Sequence, residues 1–338
     1  MNKYFEIVPT HLNTAFRHTP FNKNKSAAKI QINFYIRKHF GQKIKKIRVR
    51  LRMLKKNRTF VPDFGILCKI VMRDFTLDIY RELLETLQKQ GYELIPYAEY
   101  CRNTDISEYR NTEKRFVILR HDVDAKPWNS LKTAQIEHSL GAKATYYFRV
   151  GKESNNPEVI RAIAQLGHEI GYHYEDMALC QGDVVKAYSH FQTWLDYFRQ
   201  YYAVETVCMH GAPTNKYDGR DLWKVYDYKA LGVIGEPYFD TDFSDVLYLT
   251  DTGRCWDGYK VSVRDKIPQY QDEWSRRGWT WHTTGELIQV IKDNRLPAHV
   301  MMTTHPQRWT NKKNEWGKEL FVQNFKNIVK RILILTKK

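Results

Sequence analysis

Two carboxylates close an apolar run at residues 116–124, where Phe-Val-Ile-Leu-Arg-His leads into Asp122-Val-Asp124. Side chains alternate along a strand, so Asp122 and Asp124 share one face and Val123 takes the other. Two anions on one side of a strand end repel each other and are costly to bury, which calls for a metal ion, a cationic partner or catalytic work. A second apolar stretch, Gly167-His-Glu-Ile-Gly-Tyr-His-Tyr-Glu175, ends in His173 and Glu175. A third candidate, His210, follows Glu205–Met209, and a fourth, His305, follows Val300–Thr304. Carboxylates and imidazoles can ligate a divalent metal ion and can act as general acids and bases.

The elements that must carry these residues alternate along the chain. Thr76 is a candidate N-cap for a helix to about Gln90, closed by Gly91, and a strand follows at Tyr92–Ile95. Strand 116–122 leads to a helix from about Ser130 to Leu140, strand Ala144–Val150 to helix Pro157–Leu166, and strand His168–His173 to a long helix over 183–202. Such alternation predicts parallel strands with right-handed crossovers, in a barrel or an open α/β sheet. Chemistry in such folds gathers at the carboxyl ends of strands, where Asp122, Asp124, His173, His210 and His305 all fall. Residues 212–285 have few long periodic segments and read as extended loops over a site. The last helix spans about Glu315–Leu335. His121, on the opposite face from the two aspartates, and His168, at the start of its strand, read as structural.

Charge divides the chain unevenly. The 338 residues carry a net +16, yet residues 1–62 hold ten Lys, six Arg and the single acid Glu6, giving 16 − 1 = +15 and leaving about +1 for residues 63–338. Within the arm, Ile36, Phe40, Ile44, Ile47, Leu51 and Leu54 recur at helical spacing over about 30–56, among a run of basic residues. Residues 30–58 suit an anionic membrane surface or docking on the protein's own body, and no recognisable module points to nucleic acid. Five scattered cysteines without a C-x-x-C pair argue against a disulfide framework and a cysteine zinc site. With no signal-peptide core and no spanning run of about 20 apolar residues, the chain is expected in the cytoplasm, touching a membrane only peripherally.

The chain resembles the NodB-like polysaccharide deacetylases over about residues 74–310. Arg120-His-Asp-Val-Asp124 is similar to that family's first motif, and Gly167–His173 to its second. Met209-His-Gly-Ala-Pro213 stands where the third lies, Asp251-Thr-Gly-Arg-Cys-Trp-Asp257 where an Asp/Trp pocket motif lies, and Thr304-His305 where the last lies. The resemblance implies a distorted (β/α) barrel over residues 63–338 and a hydrolase that removes N-acetyl groups from an amino sugar in cell-surface polysaccharide biosynthesis. It implies Asp122 as base, His305 as acid, and Asp124 and His173 as ligands of Zn²⁺ or another divalent metal. Arg254, Trp256, Asp257 and Tyr238 are the expected substrate contacts, and the substrate is an N-acetylated sugar linked to a nucleotide or lipid. The chain departs from the pattern twice: Met177 stands where a second ligand histidine is usual, and the third-motif arginine is missing. His210 or Glu175 can supply the third ligand. A carbohydrate-binding or scaffolding relative that has lost its metal is the alternative.

Overall fold

A computed structural model describes residues 73–103, 114–211, 216–258, 262 and 265–336. The basic arm, with its candidate helix and its expected membrane surface, lies outside them. The described fold falls within one compact unit, Arg73–Lys338.

Seven parallel strands form one curled sheet. They are β1 (Tyr92–Ile95), β2 (Arg115–Val123), β3 (Thr145–Phe148), β4 (Glu169–Tyr174), β5 (Val207–Met209), β6 (Leu247–Thr250) and β7 (His299–Thr304). The path runs β5-β4-β3-β2-β7-β6, and β1 pairs with β2. Thus β2 is the central strand: β7 covers one edge from Phe116 to His121, while β1 and then β3 share the other. Helices around the sheet make a half-barrel, with α1 (Leu77–Lys89), α2 (Tyr97–Asn103), α3 (Pro127–Ser139), α4 (Pro157–Gln165), α5 (Asp176–Leu179), α6 (Val184–Arg199), α7 (Pro268–Arg276), α8 (Thr284–Lys292) and α9 (Lys313–Thr336). Both sheet faces are covered, so the strands are apolar nearly throughout and every residue of β2 after Arg115 is buried.

Local chemistry sets the helix starts. The Thr76 hydroxyl accepts from Ile79 N at 3.3 Å to cap α1, Asn156 and Asp183 cap α4 and α6 in the same way, and Thr283 with Glu286 forms a capping box on α8. Helix α3 begins at Pro127, ahead of the expected Ser130, because proline's fixed φ suits the first turn.

One buried polar network fastens α3 to the outer face of β2. His121 Nε2 lies 2.7 Å from Glu137 Oε1 and its Nδ1 lies 2.6 Å from the Thr304 hydroxyl. Tyr146 OH donates to Glu137 Oε2 at 2.7 Å, and Tyr80 OH donates to Oε1. Burial pushes the Glu137 carboxyl up, but His121, His168 and Tyr80 outweigh it and hold it below the usual range. His168 also bonds the Ala134 carbonyl. Both histidines are structural, as the alternation of β2 and the position of His168 require.

The stretch 212–285, expected as extended loops, is mostly irregular among its described residues but is interrupted by regular elements. It contains β6, α7, the start of α8 and short 3₁₀ turns at Gly219–Lys224 and Lys229–Leu231.

Candidate metal centre

Strands β2, β4, β5 and β7 each deliver a polar side chain to one end of the curl. Strand β2 ends at Val123, and the turn after it is tied by Asp124 N donating to the Asp122 carbonyl at 3.0 Å. Asp122 and Asp124 still face the same imidazole: His173 Nε2 lies 3.7 Å from Asp122 Oδ2 and 3.8 Å from Asp124 Oδ1. His210 Nε2 stands 3.4 Å from that same Asp124 oxygen, and His305 Nε2 lies 3.8 Å from Asp124 Oδ2.

Each imidazole is held from behind. His173 Nδ1–H donates to the Cys208 carbonyl at 2.9 Å, which leaves Nε2 as the bare nitrogen facing Asp124. His210 Nδ1 faces Glu175 Oε2 at 3.0 Å. Glu175 is in turn gripped by Arg149, whose Nε and Nη2 donate to Oε1 at 2.9 and 2.7 Å. Burial pushes Glu175 up, but the His210 bond and Arg149 hold it down at about 2. Glu175 therefore stands behind His210 as an anionic orienting group, a place that differs from its expected role as a competing ligand.

The donor set fits a divalent ion. Asp124 Oδ1 is buried and has no hydrogen-bond partner. Two ligands about 2.0 Å from a tetrahedral ion lie about 3.3 Å apart, close to the 3.4 and 3.8 Å between this oxygen and the two histidine nitrogens. One donor atom from each of Asp124, His173 and His210 falls within 4.8 Å of the others. Burial, with His210 and Arg120 adding to it, pushes His173 well below the usual imidazole range, so it is neutral and able to ligate. Burial raises Asp124, but the charges of His210 and His305 leave it lowered.

A second grouping, Asp122 with His173 and Cys208, is also compact. It suits an ion less well. Both Asp122 oxygens are taken by Arg120, Nε to Oδ1 at 2.9 Å and Nη2 to Oδ2 at 2.8 Å.

Met177, four residues after His173, lies in α5 and is packed in the core. His210 stands at the centre instead. Arg120, fully buried, lies over the rings of Tyr147 and Tyr238, with its Cζ 5.8 and 5.2 Å from their centroids. It gives Asp122 a buried cationic partner.

His305 is set by Asp251, the first residue after β6. Its Nδ1 lies 2.6 Å from Asp251 Oδ1 and its backbone N donates to Oδ2 at 3.0 Å. Arg308 and Trp309 Nε1 also donate to this carboxylate. Burial and Arg308 push the His305 imidazole down, but the charge and bond of Asp251 lift it above its usual range. Gln307 Nε2 donates to Asp124 Oδ2 at 3.2 Å, while its Oε1 is buried without a partner. Arg149, Gln307 and Arg308 carry no signal in the sequence, whereas Arg120 and Asp251 stand inside the motifs quoted above. Asp251 follows Leu247–Thr250, and so stands at another strand end.

The expected substrate contacts scatter. Tyr238 lies beside Arg120, inside the curl. Trp256 is buried, donates to Thr284 Oγ1 at 3.0 Å, and borders a small cleft with Trp274, Trp279 and Asp265. Arg254 is taken up elsewhere: its guanidinium lies 5.2 Å from both the Phe75 and Trp316 rings and donates to the Asp74 and Trp316 carbonyls. Asp257 pairs with His282 at 2.8 Å.

No protein-family model matches the chain, and no curated protein matches it. Among the described residues no helix is long and apolar enough to cross a membrane.

Proposed function

We propose that this protein is a metal-dependent hydrolase that removes N-acetyl groups from an amino sugar in cell-surface polysaccharide biosynthesis, on a distorted barrel of the NodB-like type. The observation that carries this reading is the unpartnered Asp124 Oδ1 with two braced imidazole nitrogens turned toward it, flanked by Asp122 and His305. An ion held by Asp124, His173 and His210 supplies, when bound, a Lewis acid for the amide carbonyl and a water of lowered pKa.

The remaining roles belong to the chain. Asp122, fixed in direction by the two-pronged Arg120 contact, takes a proton from the attacking water. His305, oriented by Asp251, gives a proton to the departing amine nitrogen, a step worth roughly 10²–10⁴-fold. One water and one N-acetyl amide become acetate and a free amino sugar. Of the aromatics named above, half-buried Tyr238 and Trp279 are the ones that can present a ring to a sugar. Zinc suits this nitrogen and oxygen donor set, and another borderline divalent ion fits it as well.

The reading is tested by acetate release from N-acetylated amino sugars, free, nucleotide-linked and lipid-linked, by protein of measured metal content. Asp122→Asn is expected to keep its metal and release no acetate. Metal loss in that variant would reverse the assignments of base and ligand. A metal-loaded wild type that releases no acetate from any of these substrates would leave the non-hydrolytic alternative standing.

A further inference from the structure

Away from the Asp124 centre, a thiol, a carboxylate and an imidazole converge. Cys255 is buried, Asp257 half-buried and His282 exposed, and one donor atom from each lies within 4.8 Å of the others. We propose that Cys255, Asp257 and His282 form a second metal site that takes zinc or a similar thiophilic divalent ion in a structural role.

The backbones of the three residues are already fastened together. Trp256 N, between the other two donors, bonds the His282 carbonyl at 3.2 Å, and the Trp256 indole is anchored to Thr284 on α8. Asp257 is bridged to Thr250 at the end of β6. His282 N donates to Glu286 Oε2 at 2.7 Å, inside the capping box of α8. Two segments far apart in sequence are thus braced before any ion arrives, which lowers the ordering cost of binding.

The donor chemistry selects the ion. A thiolate with an imidazole and one carboxylate suits zinc, whereas calcium and magnesium want oxygen ligands alone. Asp257 Oδ1 and His282 Nδ1 are hydrogen-bonded at 2.8 Å. A tetrahedral ion would need about 3.3 Å between two such ligands. An opening of that size is cheap for His282, whose side chain is 66% exposed, and the same exposure leaves an entry path and room for water as a fourth ligand. Burial and Asp257 push the free Cys255 thiol up to about 12, which makes it a poor nucleophile at neutral pH. A divalent ion displaces that proton on binding. An ion here would clip residues 255–257 to the start of α8, and so steady the segment that begins with Asp251, the residue that holds His305.

Cobalt titration of the full chain tests this independently of the first centre. A thiolate ligand gives Co²⁺ an intense near-ultraviolet charge-transfer band that carboxylate and imidazole ligands do not. Wild type is expected to show the band, Cys255→Ser to lose it, and Cys208→Ser to keep it. The His173→Ala/His210→Ala double variant is expected to lose one cobalt equivalent and keep the band, so failure of the first centre leaves this test intact. His282→Ala is expected to weaken the band-forming site by roughly an order of magnitude or more. Absence of the band in wild type whose circular dichroism shows it folded, or persistence of the band in Cys255→Ser, overturns the second site.

Discussion

Asp122 and Asp124 are two residues apart and chemically identical, and their neighbours give them opposite tasks. Arg120 occupies both oxygens of Asp122, whereas Oδ1 of Asp124 faces only imidazoles. The planar guanidinium is what fixes Asp122, because its fork matches a carboxylate in a way an ammonium does not. Arg120→Lys is therefore expected to retain metal but lower kcat on the order of 10²-fold, the cost of a misdirected base. An unchanged kcat would remove Arg120 from the mechanism. Glu175 makes a parallel case one step behind the metal. Acting through His210, it should tune affinity without creating it. Glu175→Gln is expected to weaken metal binding about 10–100-fold in chelator competition; complete loss would show that Glu175 is itself a ligand.

At the scale of elements, the site depends on how closely β3 and β4 pack. Gly171 pairs with Tyr147 in register, and a Cβ there would lie 2.3 Å from the Tyr147 ring and 3.0 Å from the Thr206 carbonyl. Tyr147 cannot swing freely, since its hydroxyl bonds Thr206 at 2.8 Å. Gly171→Ala should destabilise the fold by about 1–3 kcal/mol in urea melts, and a neutral result would mean the strands have slack. A second element, the turn at 236–238, rests on Glu236, which accepts from Met209 N at 3.0 Å and Tyr238 N at 2.6 Å. Burial raises its carboxyl from 4.5 to about 7. The folded state thus binds a proton that the unfolded state gives up above 4.5, so stability falls as pH rises from about 4.5 through 7. Glu236→Gln should flatten that slope, worth at most about 3 kcal/mol; an identical pH profile in the variant would place the slope elsewhere. The strand ends at 122–124, 173, 210 and 305 were legible because a strand buried on both faces reads as an apolar run, and a polar group just after it stands out. Strand β6 was not, being four residues long amid Asp, Gly and Thr, and with it went Asp251, whose value lies in a contact 54 positions away at His305. Arg120 was visible as a candidate partner of the two aspartates, and only the folded side chain, turned back on Asp122, shows which of them it takes.

For the whole molecule, the partition of charge makes the arm and the fold separable. Residues 1–62 carry +15 of the net +16, and every residue assigned to either metal site lies in Arg73–Lys338. A long-range pull toward an anionic surface must then come from the arm, at about 1 kcal/mol per basic residue near a bilayer. Such attraction decays over a Debye length of about 8 Å at physiological salt. The full chain is expected to sediment with vesicles rich in anionic lipid at low salt, to release them as salt rises, and to ignore neutral vesicles. Deleting residues 1–62 should abolish that binding while acetate release from a soluble N-acetylated sugar continues at the full-length rate. A lipid-linked substrate would report the difference in function: its turnover should fall on deletion through a higher KM with kcat unchanged, because the arm gathers the protein at the surface and touches no reacting atom. Equal vesicle binding by the truncated chain would move the membrane contact onto the folded body, and a lost kcat on the soluble substrate would mean that the arm supports the catalytic fold.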